Sequence, residues 1–227
     1  MKLIPKLFFI IWLLEINFST NAQDMNALIE KIKLKLNTVN EYVAEGKMKT
    51  DIAFIKAPIG KIKVLYKKPN FFQLKRENGI SILPKGGVSM NVSSIMAINN
   101  FIALYAGETI VDGTKVKIVK LLPTNENSDI VLTTLFIDEP NLLIKKAITT
   151  TNENGTYEIS FTYGKYANYG LPDKVVFKFN TKDYKMPKGI TLEFDDGDKP
   201  NAEQKLKSKK GKVELTYTSY IINKGLL

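Results

Sequence analysis

Alternation with a period of two residues, recurring from Ala44 to Tyr217, constrains this chain more than any other feature. Ala44, Gly46, Met48, Thr50, Ile52 and Phe54 alternate with Glu45, Lys47, Lys49 and Asp51. Ile62, Val64 and Tyr66 alternate with Lys61, Lys63 and Lys67, and Tyr157, Ile159, Phe161 and Tyr163 with Glu158, Ser160 and Thr162. Val175, Phe177 and Phe179 follow the same rule with Lys174, Val176 and Lys178. Side chains two apart share one face of a strand, so these segments are strands with one wet face and one face that must be buried.

Turn signals separate the runs. Pro69-Asn70 precedes Phe72 and Leu74, and Asp112-Gly113 lies between Thr109–Val111 and the run from Lys115 to Leu122, which marks a tight hairpin. Further runs span Ile130–Ile137 and Leu142–Thr150, bounded by Asp138-Pro140-Asn141 and Asn152-Asn154-Gly155. Ile190, Leu192 and Phe194, then Val213, Leu215 and Tyr217, complete the series, and the almost wholly polar Asp195–Lys212 between them reads as an exposed loop. Around ten strands joined by short turns describe an antiparallel meander, a mainly β (α+β) chain. With one apolar face throughout, the sheet is expected to curl inward.

Two helical segments are available to fill the concavity. After Asp24, a plausible N-cap, Met25, Leu28, Ile29, Ile32, Leu36 and Val39 recur at helical spacing. The second is Gly86–Gly107, which has no charged residue in a chain where 25% are charged. A helix starting near Ser93 or Ser94 would carry Ile95, Ile98, Ile102 and Tyr105 on one face and Met96, Phe101 and Leu104 elsewhere, so it is expected to be buried. Gly86-Gly87 just before it is a hinge candidate. A strongly curved open sheet, or half-barrel, holding both helices accommodates these features, whereas a flat β-sandwich leaves the second helix without a place.

Lys2 and Lys6 ahead of the apolar run Leu7–Leu14, and the small residues Thr20 and Ala22 before Gln23, read as a secretory signal peptide over residues 1–22. The alternative is a membrane anchor, but the apolar run is shorter than the roughly 20 residues a span needs. Residues 23–227 are then one exported domain, about 205 residues, a size that strand-rich domains reach undivided. With no Cys, it must be held by its core, and a cysteine-anchored lipoprotein is excluded.

The net charge of +10 favours acidic partners such as anionic head groups. The lysines alternate with apolar residues and do not gather with aromatics, so nucleic acid is not the expected partner. The chain also lacks His, which together with the lack of Cys removes the usual triad base, the thiol nucleophile and most zinc, iron and copper sites. Asp195, Asp196 and Asp198 satisfy a calcium loop only loosely, and on a polar loop they do not resemble a glycosidase pair. No enzymatic activity, metal or cofactor is expected.

The surplus of inward-facing apolar side chains suits an aliphatic ligand. At about 0.8 kcal/mol per buried methylene, an ordinary acyl chain gains on the order of 10 kcal/mol before the cost of opening the fold. Periodicity alone does not decide between such a cavity and a fully packed core.

The order of these features resembles that of the periplasmic lipoprotein carriers of the LolA type: a signal peptide, an amphipathic helix, a strand pair carrying VLYKKPNFFQL (Val64–Leu74), a helix interrupting the sheet, then meandering strands. LPKGG (Leu83–Gly87) and GTYEISFTYGKYANYGLPDKVVFKF (Gly155–Phe179) look like a Bacteroidetes-type branch of that family. The resemblance covers essentially the whole chain after residue 22. It implies an unclosed β-barrel with helices over its concave face, and a monomeric periplasmic carrier of acylated lipoproteins or other acyl lipids, working between inner-membrane release machinery and an outer-membrane receptor. In the family an Arg just before the proline holds the lid shut, and here Lys68 takes that position. The expected ligand-binding residues are Tyr66, Phe72, Leu74, Phe161, Phe177 and Phe179 on the strands and Ile95, Ile98 and Ile102 on the lid. Two other classes remain open. One is an envelope sensor or interaction module that detects lipoproteins or lipids with the same fold, and the other is an envelope-lipid enzyme built on Asp, Glu or Lys.

Overall fold

The computed structural model describes residues 20–52, 59–69, 71–77, 92–96, 100–180 and 210–225. Helix α1 spans Thr20–Leu36. Its Met25, Leu28, Ile29, Ile32 and Leu36 are buried, and so is Val39 just past its end. The helix starts upstream of the cap expected at Asp24, because Asn21, Ala22 and Gln23 include no Gly or Pro to stop it. Lys33 and Lys35 lie in its last turn, where cations complement the exposed carbonyls. Among the described residues no helix is long and apolar enough to cross a membrane.

Ten strands follow: β1 (Glu41–Ile52), β2 (Gly60–Lys67), β3 (Phe71–Arg76), β4 (Phe101–Val111), β5 (Thr114–Pro123), β6 (Ile130–Asp138), β7 (Leu143–Thr151), β8 (Gly155–Thr162), β9 (Lys174–Asn180) and β10 (Lys210–Ile222). A four-residue helix, α2 (Val92–Ile95), precedes β4, and a 3-10 turn, Ala167–Tyr169, precedes β9. The strands form one antiparallel sheet in the order β3-β2-β1-β10-β9-β8-β7-β6-β5-β4. Neighbours in sequence are therefore neighbours in space, as expected of a meander, with one departure: the first and last strands pair, and the break falls between β3 and β4. The sheet has the connectivity of an up-and-down barrel left open at that one seam.

The buried side chains of the strands and of α1 form one cluster that reaches strands across the whole sheet, from Val64 on β2 to Ala103 on β4. Nine strand spacings laid flat would measure about 43 Å. A 17-residue helix, about 25 Å long and 10 Å thick, covers only part of that width. One shared core thus requires the sheet to curl around α1, as the one-sided alternation demands.

Local features follow from sequence. Asp112 and Gly113, at φ 47° and 74°, make the two-residue β4–β5 turn expected of that pair. Between β1 and β10 the register slips at Glu45/Gly46, leaving Thr218 as an extra residue whose hydroxyl donates to the Glu45 carbonyl at 3.1 Å. A Cβ on Gly46 would lie 2.3 Å from the Thr216 carbonyl oxygen, so the bulge brings backbone too close for any side chain there.

The helix expected within Gly86–Gly107 is corrected by the structure. Among the described residues of this stretch, Val92–Ile95 is helical and Phe101–Gly107 begins β4. Phe101-Ile102-Ala103-Leu104-Tyr105 pairs with β5, placing Ile102 opposite Leu122 and Tyr105 opposite Val119. Cross-strand packing of aromatic and branched residues outweighs helix propensity here. The run looked apolar all round because both faces of this edge strand carry apolar side chains. The loop expected to end at Lys212 ends sooner, since Lys210–Lys212 belong to β10. The strand at Ile190–Phe194, the Asp195–Asp198 carboxylates, the Gly86-Gly87 hinge and residues 1–19 of the signal peptide lie outside the described residues.

Candidate functional site

The inner face of the sheet is the candidate site, and its register can be read across the strands. Leu135, Ala147, Ile159, Phe177, Val213 and Thr50 stand in one row from β6 to β1, each directly opposite the next. Beside it runs a second row, Thr133, Thr149, Tyr157, Phe179 and Gly211. Phe179 lies over Gly211, where a Cβ would meet its ring at 2.3 Å, so the glycine makes room for the phenyl group. Phe177 and Phe179 stack at 5.1 Å, and Tyr157 tilts against Phe177 at 5.6 Å.

Toward the other end of the strands the face becomes tyrosine-rich. Tyr42 stacks on Tyr66 at 5.0 Å and meets Tyr220 edge-on at 5.4 Å, and Tyr166 and Tyr217 lie 4.9 and 5.1 Å from Tyr220. The phenol of Tyr220 donates to the Pro172 carbonyl at 2.7 Å and that of Tyr163 to the Ile144 carbonyl at 2.9 Å. Burial pushes the phenols of Tyr42, Tyr163, Tyr217 and Tyr220 well above their ordinary range, and the neighbouring phenols add to the effect at Tyr42 and Tyr220.

Polar contacts hold the end of α1 over this region. Lys35 Nζ donates to the Asn141 carbonyl at 2.6 Å, and desolvation lowers its pKa. Asn223 Oδ1 accepts from the Asn40 and Glu41 amides at 2.8 and 3.2 Å, while its Nδ2 donates to the Thr38 carbonyl at 2.8 Å. Lys68 Nζ donates to the Asn37 carbonyl and, at 3.4 Å, to Asn40 Oδ1. The residue singled out as a lid lock therefore reaches a carbonyl, but one in the α1–β1 connection and not in α2. The turn that carries it contains a cis Lys68–Pro69 bond.

The expected ligand-binding residues divide into four groups. Tyr66, Phe161, Phe177 and Phe179 point inward and are buried in the shared core. Phe72 and Leu74 on edge strand β3, and Ile95 on α2, are half-buried and pack against that core from its margin. Ile102 belongs to β4, not to a lid helix, and is 53% exposed. Ile98 lies outside the described residues. Tyr42, Thr50 and Tyr217 were missed although strand parity alone places them on the inner face. Tyr220 was not legible, because the bulge at Thr218 reverses the parity beyond Tyr217.

Neither a protein-family model nor a curated protein sequence matches the chain. Solved structures do. A DUF1329 family protein from Desulfovibrio piger aligns over 91% of this chain and 95% of its own, with a TM-score of 0.58 at 11% identity. A candidate outer membrane lipoprotein-sorting protein domain from Vibrio parahaemolyticus aligns over the same shares with a TM-score of 0.54 at 12% identity. The LolA superfamily protein NE2245 from Nitrosomonas europaea aligns over 86% of this chain and 92% of its own, at 0.49 and 10%. The chain is an open β-barrel with a helix packed on its inner face. More particularly, it shares the fold of that lipoprotein-sorting protein domain, and the unclosed β-barrel that the sequence resemblance implied is the architecture observed.

Proposed function

We propose that this protein is a non-enzymatic carrier that holds acyl chains of lipoproteins, or of related lipids, against the inner face of its open barrel. The observation that carries this reading is that face itself. It is apolar and aromatic from Leu135 to Met48, bounded at the open seam by the half-buried Phe72, Leu74 and Ile95. An acyl chain slipping in at the seam meets these three side chains first, then exchanges water for the inner row. At about 0.8 kcal/mol per methylene, this burial offsets the displacement of part of the present packing. The likeness to a lipoprotein-sorting domain supports the reading at the level of fold. A chain with neither His nor Cys is also better suited to binding than to acyl-transfer chemistry.

The carrier acts in the periplasm, as a monomer cleaved after residue 22, receiving cargo from inner-membrane release machinery and yielding it to an outer-membrane receptor. Mass spectrometry of the protein purified from periplasm without detergent, first native and then denaturing, tests this. Co-purified acylated peptide is the expected result. An apo mass together with no uptake of added acyl lipid refutes the proposal.

A further inference from the structure

Among the described residues of the inner face, Thr50 carries a buried hydroxyl that makes no hydrogen bond. It stands at the β1 end of the row Leu135–Ala147–Ile159–Phe177–Val213, opposite Val213, and is 6% exposed. Among the described residues its Oγ1 is buried with no hydrogen-bond partner. A buried hydroxyl without a partner is costly, and Val would fill the same space in a strand without that cost. The adjacent row shows how hydroxyls on this face are otherwise treated. Thr133 and Thr149 are buried with their hydroxyl oxygens hydrogen-bonded to each other at 3.1 Å. Those two satisfy each other, and they mark the same end of the strands as polar. The opposite end carries the tyrosine cluster, and the stretch between is hydrocarbon.

We infer that the Thr50 hydroxyl is a ligand-binding group that donates a hydrogen bond to the carbonyl oxygen of an acyl ester or amide, fixing the direction of the bound lipid. The carbonyl end lies at Thr50, and the hydrocarbon runs along Val213, Phe177, Ile159 and Leu135. The site thereby favours esters and amides over bare hydrocarbon of the same length. This inference rests on the carrier reading above and specifies the chemistry of its ligand.

The test compares wild type, Thr50→Val and Thr50→Ser for binding of monopalmitoylglycerol and of hexadecane, each supplied as a monomeric probe. Loss of one neutral hydrogen bond predicts binding of monopalmitoylglycerol weakened by about 2- to 10-fold in Thr50→Val. Thr50→Ser restores it, and hexadecane binds all three proteins alike. Ligand-free Thr50→Val is expected to melt no lower than wild type, which separates a lost contact from a lost fold. If wild type binds both probes and Thr50→Val binds the ester as well as wild type does, or loses both probes equally, the role of Thr50 is overturned and the carrier stands. If wild type binds neither probe, the carrier reading fails and this inference with it.

Discussion

Raising the pH should unfold this protein cooperatively, and the tyrosines of the inner face set where. Burial holds the phenols of Tyr42, Tyr157, Tyr163, Tyr217 and Tyr220 above their ordinary value of 10.0, with desolvation the leading cause for each. A pKa raised in the folded state contributes stability that is complete below the unfolded value and is lost as pH climbs toward the folded one. Each suppressed ionisation costs about 1.4 kcal/mol per pH unit above that value, so the four raised furthest, Tyr42, Tyr163, Tyr217 and Tyr220, cost about 5.5 kcal/mol per unit. Domains of this size are stable by about 5–15 kcal/mol, so the fold is expected to fail within roughly two units above pH 10. The assay is a pair of alkaline titrations, one of tyrosinate absorbance and one of circular dichroism. The phenols of Tyr42, Tyr163, Tyr217 and Tyr220 should ionise in a single step that coincides with loss of the sheet signal. Smooth ionisation of all the tyrosines around pH 10, with the sheet intact, would show a solvated inner face and refute the argument.

Two substitutions test the packing and the anchoring separately. Phe177→Ala removes a ring that is 1% exposed and contacts both Tyr157 and Phe179; it should cost about 3–5 kcal/mol in urea unfolding, and a loss under about 1 kcal/mol would mean that the face collapses freely around the gap. Asn223→Ala removes three hydrogen bonds to Thr38, Asn40 and Glu41 and places Ala at φ 53°; a loss of about 1–3 kcal/mol is expected, with faster hydrogen exchange at the Asn40 and Glu41 amides, and unchanged exchange there would refute the anchor.

The strands were legible because a one-sided environment writes itself into sequence with period two. Lys61, Lys63 and Lys67 against Ile62, Val64 and Tyr66 leave little choice of face for β2, and the observed burial follows it. The Asp112-Gly113 turn was legible for an equally local reason, since two consecutive positive φ angles suit few residue pairs. What failed was set by distant partners. Nothing near Tyr42 announces that its strand pairs with the last one, and nothing between Phe101 and Tyr105 announces the Val119–Pro123 segment that extends it as a strand. The site was legible only where parity holds. Phe161, Phe177 and Phe179 fall inward as expected, whereas the extra residue at Thr218 reverses the pattern and conceals Tyr220. Thr50 was visible by parity, but its missing hydrogen bond is a property of the assembled face.

Among the described residues, α1 and α2 are held against the shared core by different means. The end of α1 is tied by Lys35, Lys68 and Asn223 to three separate parts of the chain: the β6–β7 turn, the β2–β3 turn and the segment after β10. Its Ile29 and Ile32 are almost wholly buried, so lifting it would expose both side chains and break those bonds together. In the shared core α2 contributes buried Val92 and half-buried Ile95, followed by buried Met96, and the inner-facing side chains of edge strand β3 are only half covered. Among the described residues, displacing the one turn of α2 uncovers less apolar surface than displacing α1 with its buried Met25, Leu28, Ile29, Ile32 and Leu36. On the carrier reading proposed above, the seam between β3 and β4 would be where an acyl chain meets the weaker of these two described contacts.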